Sequence, residues 1–257
     1  MKVPESAHLM NLGNIYDTIG NNTKAIDYLQ QSVEIERKTK TFVALGKALH
    51  NLGVAFKNQG NLPAAEKALT EAIKTRECIR VNSGNDLNRV SIFDTLTNTY
   101  RILQEVLVAQ NKTDAALEIS EAGRARALVD ILTTRKDCKQ TQLKQDSLKI
   151  EQIKQLAKNQ NATIVQYSVI NYKFKLEYQV QTKESELYIW VVKPTGEVIF
   201  RKTDLKALWQ KEKTNLEELV KTSRQSIGVR GAKMENPPLI NPENQKKRLQ
   251  KLHEILI

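Results

Sequence analysis

LMNLGNIYDTIGNNTKAIDYL (residues 9–29) and LHNLGVAFKNQGNLPAAEKAL (residues 49–69) are one pattern written twice, 40 residues apart. Eight of the 21 aligned positions are identical: Leu9/Leu49, Asn11/Asn51, Leu12/Leu52, Gly13/Gly53, Gly20/Gly60, Asn21/Asn61, Ala25/Ala65 and Leu29/Leu69. Tyr16/Phe56 and Val33/Ile73 are close replacements. Similarity at a fixed period of this size marks an array of stacked supersecondary units.

The physics of one unit is legible in its letters. Leu9, Leu12, Ile15 and Tyr16 recur along one face of a helix, and Ala25, Tyr28, Leu29, Ser32 and Val33 do so along a second. Between them Gly20-Asn21 breaks the helix where a tight turn is needed. Gly13 and Ala25 are small, so the two helices can approach closely, with Tyr16 and Leu29 filling the space beside them. One hairpin cannot bury its apolar side alone, so neighbours must stack on it.

This pattern resembles the tetratricopeptide repeat, carried here by Leu12, Gly13, Tyr16, Gly20, Ala25 and Leu29, and again by Leu52, Gly53, Phe56, Gly60, Ala65, Leu69 and Ala72. The 40-residue spacing exceeds the family's usual 34, and the extra residues are expected to lengthen the second helix and its exit loop, 33–42. A third, degenerate unit is expected over 91–132, with Tyr100, Leu103, Leu107, Asn111 and Ala116 at matching offsets and Gln104 in place of the glycine. The units are expected at 7–40, 47–80 and 91–132, in a repeat domain over 1–133.

In such an array the first helix of each unit lines a concave groove. Met10, Asn14 and Asp17 would be offered there by unit one, Lys47, His50 and Lys57 by unit two, and Asn98, Arg101 and Glu105 by unit three. The resemblance implies that the groove takes an extended peptide or protein segment. Asn14, Lys47, His50, Lys57 and Arg101 are the candidate binding residues, and their cations favour an acidic partner or a carboxyl terminus. His50 itself reads as a surface histidine, not a ligand.

The rest of the chain differs in charge. Residues 1–133 hold 16 Lys+Arg against 15 Asp+Glu, whereas residues 134–257 hold 24 against 14. A basic half raises the question of nucleic acid. The lysines are dispersed, however, with few aromatic residues among them for bases to stack on, which argues against it. No run approaches the length of a membrane span, and MKVPESAHLM lacks an export signal's apolar core. Cys78 and Cys138 form neither a disulfide framework nor a metal site, so neither a metal nor a cofactor is expected and a cytoplasmic setting is.

Three stretches carry a second resemblance. ALEISEAGRARALVDIL (116–132) holds Glu121, Arg124 and Arg126 in the acidic-then-Arg-Ala-Arg arrangement found where repeats join a CHAT domain, a caspase-like family. NATIVQYSVIN (161–171) resembles that domain's first core strand, and ELYIWVVKPTGEVIFRKTDL (186–205) reads as strand, Pro194-Thr195-Gly196 turn and strand. With both faces of 187–192 apolar, a helix-flanked, parallel sheet is expected, with a further strand over 172–181. Asp204 should cap a helix of some 20 residues, a loop should follow over 225–241, and Asn241-Pro242 should open a last helix. The fold expected is therefore an α-helical repeat array followed by a partial caspase-like α/β domain over 134–257.

The resemblance implies a cysteine endopeptidase with a His/Cys dyad, yet this chain lacks the contexts that carry it. His253 lies on a helical stretch with no glycine after it, Cys138 lies in a polar linker, and Cys78 lies at the end of a repeat helix. The chain stops at Leu256-Ile257 within an apolar helix, so a truncated or split reading frame is expected. The expected function is a non-catalytic interaction module. The alternative is half of a split endopeptidase whose second chain supplies the dyad.

Overall fold

The computed structural model describes residues 5–82, 86–133, 148–176, 179–226 and 242–256. The chain forms two compact units, Met1–Ile153 and Lys154–Ile257. The expected domain division lay at 133/134, and residues 134–147 between the two positions lie outside the described residues.

The first unit is a run of antiparallel helices: α1 (Glu5–Thr18), α2 (Asn22–Thr39), α3 (Phe42–Gln59), α4 (Leu62–Asn82), α5 (Asp86–Ala109) and α6 (Thr113–Thr133). Each hairpin turns on a residue in the left-handed region: Gly20 at φ 80°, Gly60 at φ 86° and Asn111 at φ 60°. Asn21 and Asn61 then cap the second helices, accepting from the backbone N–H of Lys24 and Ala64, both at 3.2 Å. The close approach read from Gly13 and Gly53 is real. A Cβ at either position would lie 2.6 Å from the Cγ of its partner, Leu29 or Leu69. Tyr16 stacks on Tyr28 with ring centroids 5.5 Å apart. The third hairpin moves the bulk to the other helix: Gln104 replaces the glycine, and Ser120 replaces the leucine 16 residues later.

Two expectations change here. The extra residues of the long repeat are helix, with only Lys40-Thr41 between α2 and α3. Lys40 takes φ 55°, and its N–H and that of Thr41 return to the carbonyls of Arg37 and Glu36, closing α2 abruptly. Leu12 was expected to pack inward but is exposed, as is Ile15. Their counterparts in the second unit, Leu52 and Ala55, are buried, in the core that Ala25, Ile26, Leu29 and Val33 share with α3.

The second unit contains an antiparallel sheet of three strands in the order β1 (Ile164–Leu176), β2 (Gln179–Val192) and β3 (Val198–Asp204). The parallel pairing expected for an α/β domain is therefore absent from the described residues. Connections of a few residues allow a hairpin but no parallel crossover. The strand expected over 172–181 is not separate: residues 172–176 and 179–181 are the far ends of β1 and β2, which continue past a bulge at Ile170/Asn171. The Pro194-Thr195-Gly196 turn stands as read, with Gly196 at φ 87°.

One face of the sheet presents Leu187, Ile189 and Val191 to a core with Leu205, Leu208, Leu216, Leu219 and Ile255. These come from the β3–α8 junction, α8 (Lys206–Gln210), α9 (Leu216–Ser226) and α10 (Pro242–Leu256). The single helix expected after Asp204 is thus two helices. Asp204 does accept from the N–H of Lys206 at 2.7 Å. Asn215 supplies a second cap, accepting from Glu218 at 2.7 Å, and Glu184 accepts from the N–H of Leu216. The helix α7 (Ile150–Asn159) buries Ile153 and Ala157. The expected loop lies outside the described residues from 227 onward, as do Asn241 and Cys138.

Candidate functional site

The polar residues that converge in the first unit lie where α3, α4 and α5 meet. Lys57 of α3 and Arg101 of α5 both bond the carboxylate of Glu105, whose side chain is 3% exposed. Arg101 reaches Glu105 Oε1 at 3.1 Å and donates from Nη2 to Asn98 Oδ1 at 2.6 Å. Asn98 Nδ2 faces His50 Nε2 at 3.4 Å, and His50 Nδ1 lies 2.8 Å from Thr99 Oγ1. Arg76 Nη1 donates to the same hydroxyl at 3.1 Å. The chain of bonds therefore runs unbroken from α4, through α5 and α3, to Lys57.

The donors fix the tautomer of His50. Arg101 can only donate, so Asn98 presents its oxygen to Arg101 and its amide N–H to the ring. His50 Nε2 must then accept, and the proton sits on Nδ1, where it is donated to Thr99. The imidazole is buried, 7% exposed. Burial, then the charges of Arg76 and Arg101, lower its pKa from 6.5 to about 4, so the ring is neutral at pH 7. Burial likewise lowers the Arg76 guanidinium to about 10, which leaves it charged.

Arg76 reaches this position because of a glycine. A Cβ on Gly46 would lie 2.8 Å from Arg76 Cγ, so the arginine stem crosses α3 where that helix has no side chain. Sequence reasoning assigned α4 to packing and found neither residue. The signal was Gly46 inside an otherwise well-formed helix, at a cost of about 1 kcal/mol relative to alanine.

Of the five candidate binding residues, the structure gathers His50, Lys57 and Arg101 into this network. Asn14 and Lys47 are exposed on α1 and α3 and take no part in it. His50, read as a surface histidine, is instead buried against α5, which packs over it. Met10, expected in the groove, packs partly buried against the core. Between α2 and α4, a cleft of about 460 Å³ is lined by Val33 of α2 and by Leu49, Leu52 and Phe56 of α3, and is bordered by the Arg37–Glu71 pair, in which Arg37 Nη2 reaches both carboxylate oxygens. The Glu121–Arg124 pair forms at 2.5 Å; the side chain of Arg126 lies outside the described residues. Among the described residues no cluster of three His, Cys, Asp or Glu could hold a metal, and no helix is long and apolar enough to cross a membrane.

The comparisons with known proteins bear on the helical hairpins. The chain is similar to tetratricopeptide repeat protein 28 of Homo sapiens, 29% identical over 154 residues, which is 60% of this chain and 6% of that protein. It is also similar to tetratricopeptide repeat protein 28 of Mus musculus, 33% identical over 124 residues, 48% of this chain and 5% of that protein. The chain thus spans a small fraction of the length of these relatives. No solved structure matches it. Residues 5–77 match the tetratricopeptide repeat family, and the paired helices α1–α2 and α3–α4 are tetratricopeptide repeats.

Proposed function

We propose that the chain is a non-catalytic protein-interaction module whose repeat groove takes up an acidic peptide or protein segment. Tetratricopeptide repeats suggest protein–protein interaction. The observation that supports the groove is the concentration of cationic and amide side chains on α3 and α5, the first helices of their hairpins: Lys47, Lys57, Asn98 and Arg101. Lys47 is solvated and available to a ligand's carboxylates, and Arg101 and Asn98 are half-buried at the edge of the network. Asn14 of α1 extends the same row of first helices.

In this reading residues 134–257 are an attached CHAT-like region. Its support is the resemblance of 116–132, 161–171 and 186–205 to that family. None of the three histidines or two cysteines stands in the family's dyad context, so the chain itself performs no hydrolysis. The module acts without metal or cofactor, in the cytoplasm, on a protein partner and not on nucleic acid or membrane.

The test is a selection of displayed random peptides on the full chain, followed by binding of the selected peptides to Lys47→Glu and Arg101→Glu. Acidic sequences should be enriched, and each charge reversal should weaken them at least tenfold. Selected peptides that bind both variants as they bind the wild type would remove the groove from the reading.

A further inference from the structure

We infer that β1 takes up a second copy of this chain, the two β1 strands pairing antiparallel along their outer edges about a two-fold axis at Tyr167. Among the described residues β1 has β2 on one side and no strand on the other. Its face is equally incomplete. Val165, Tyr167 and Val169 stand directly opposite Val191, Ile189 and Leu187, and directly opposite residues share a face of the sheet. On β2 that face is covered by the core that α8, α9 and α10 supply. On β1 it is open: Val165, Tyr167 and Val169 are 46%, 43% and 36% exposed. Contiguous exposed apolar side chains mark an interaction surface.

The two edges of the sheet are built differently. β3 carries Arg201, Lys202 and Asp204, and α10 ties it down: the carbonyls of Glu254 and Ile255 accept from Arg201 and Thr203 at 3.0 and 3.3 Å. β1 has no charged residue and no proline from Ile164 to Asn171, and its bulge comes only at the end of that stretch. Charges, prolines and bulges are the devices that keep an edge strand from adding another. Lys173 and Lys175 lie past the bulge and confine pairing to the uncharged stretch. That stretch matches itself. About an axis at Tyr167, Tyr167 meets Tyr167 of the second copy, Val165 meets its Val169, and Ile164 meets its Ile170. Apolar residues then face apolar residues, no charge opposes a like charge, and two three-stranded sheets join into one. This match of the strand to its own sequence selects a second copy over an unrelated strand as the occupant.

The experiment is sedimentation equilibrium of the full chain over a range of concentrations. The mass of the wild type should rise from 29.2 kDa towards twice that value. Tyr167→Lys sets two cations against each other at the axis. It should stay at 29.2 kDa where the wild type is mostly dimer, with the tryptophan fluorescence of the second unit unchanged. Cysteine cross-linking in a Cys78→Ser, Cys138→Ser background reads the register, because directly opposite positions on paired strands lie within reach of a disulfide. On oxidation Tyr167→Cys should link to itself. Val165→Cys should link to Val169→Cys in a mixture of the two and not to itself. This arm decides the matter should Tyr167→Lys fail to fold. A wild type that remains at 29.2 kDa throughout, a folded Tyr167→Lys that associates as the wild type does, or a dimer that links at none of these positions overturns the inference. Masses beyond the dimer overturn it too, because a two-fold pairing of β1 is closed.

Discussion

Acid should unfold the repeat unit through one histidine. In the folded chain His50 holds its proton with a pKa of about 4, against 6.5 in an unfolded chain. The sign follows from the lowered value. Above pH 6.5 the ring is neutral in both states and its contribution to stability is complete. As the pH falls from 6.5 towards 4 the unfolded chain takes up the proton first, and stability is lost. Below about pH 4 both states are protonated and the loss levels off. Each tenfold change in proton affinity is worth about 1.4 kcal/mol, so the full loss is about 3 kcal/mol and the loss by pH 5 is about 2 kcal/mol. The structural origin is explicit. A proton on Nε2 would face the amide N–H of Asn98, and the new charge would sit near Arg76 and Arg101. The assay is urea unfolding followed by far-UV circular dichroism, which the long helices of the first unit dominate. Both tryptophans, Trp190 and Trp209, lie in the second unit, so their fluorescence reports separately on that unit. His50→Gln removes the titration and retains an amide donor and acceptor. The stability gap between wild type and variant should shrink by about 2 kcal/mol from pH 7 to pH 5. A gap that stays constant over that range refutes the neutral, buried histidine.

Further consequences concern the two glycine types and the second unit. Gly53→Ala would bring a methyl 2.6 Å from Leu69 Cγ and 3.3 Å from the Leu69 backbone nitrogen. Overpacking of this kind costs about 1–3 kcal/mol, offset by the roughly 1 kcal/mol gain in helix propensity, and the midpoint in urea should fall. Gly20→Ala meets no atom within 4 Å and loses only backbone freedom at φ 80°, so its cost should be about 1 kcal/mol with no repacking of Leu29. Equal stability of Gly53→Ala and wild type would contradict the close packing of α3 on α4. In the second unit Glu184→Gln replaces the charged acceptor of the Leu216 N–H at the start of α9. Tryptophan fluorescence should show a loss of about 1 kcal/mol, without change in the circular-dichroism transition of the repeats.

The repeat was legible because its determinants are local and doubled. Gly20/Gly60 and Asn21/Asn61 specify the turn and cap within four residues, and Gly13 with Leu29 specifies the packing within one hairpin. The 187–192 strand and its turn were legible for the same reason. The site was only half visible. Lys57 and Arg101 carry charge at the right helical offsets, but their shared acceptor Glu105 and the burial of His50 depend on how α5 lies against α3. Arg76 was invisible because its role needs a helix crossing at Gly46, a contact between residues 30 positions apart in different helices. The sheet's direction was misread because residues apolar on both faces suit a strand covered on both sides, whichever way its neighbours run. Connection length carries that information, and the reading of 172–181 as a separate strand concealed it.

Solvation separates the three positions at which the groove could meet an acidic ligand. Lys47 is exposed, so its attraction for a carboxylate is screened once the Debye length falls from about 10 Å at 0.1 M salt to about 3 Å at 1 M. Lys57 and Arg101 share one carboxylate, that of Glu105, and Arg101 also donates to Asn98. A ligand held mainly by Lys47 would therefore lose most of its affinity between 0.1 and 1 M sodium chloride, as exposed ion pairs do. Binding that keeps most of its wild-type affinity at 1 M salt would refute recognition by the solvated Lys47.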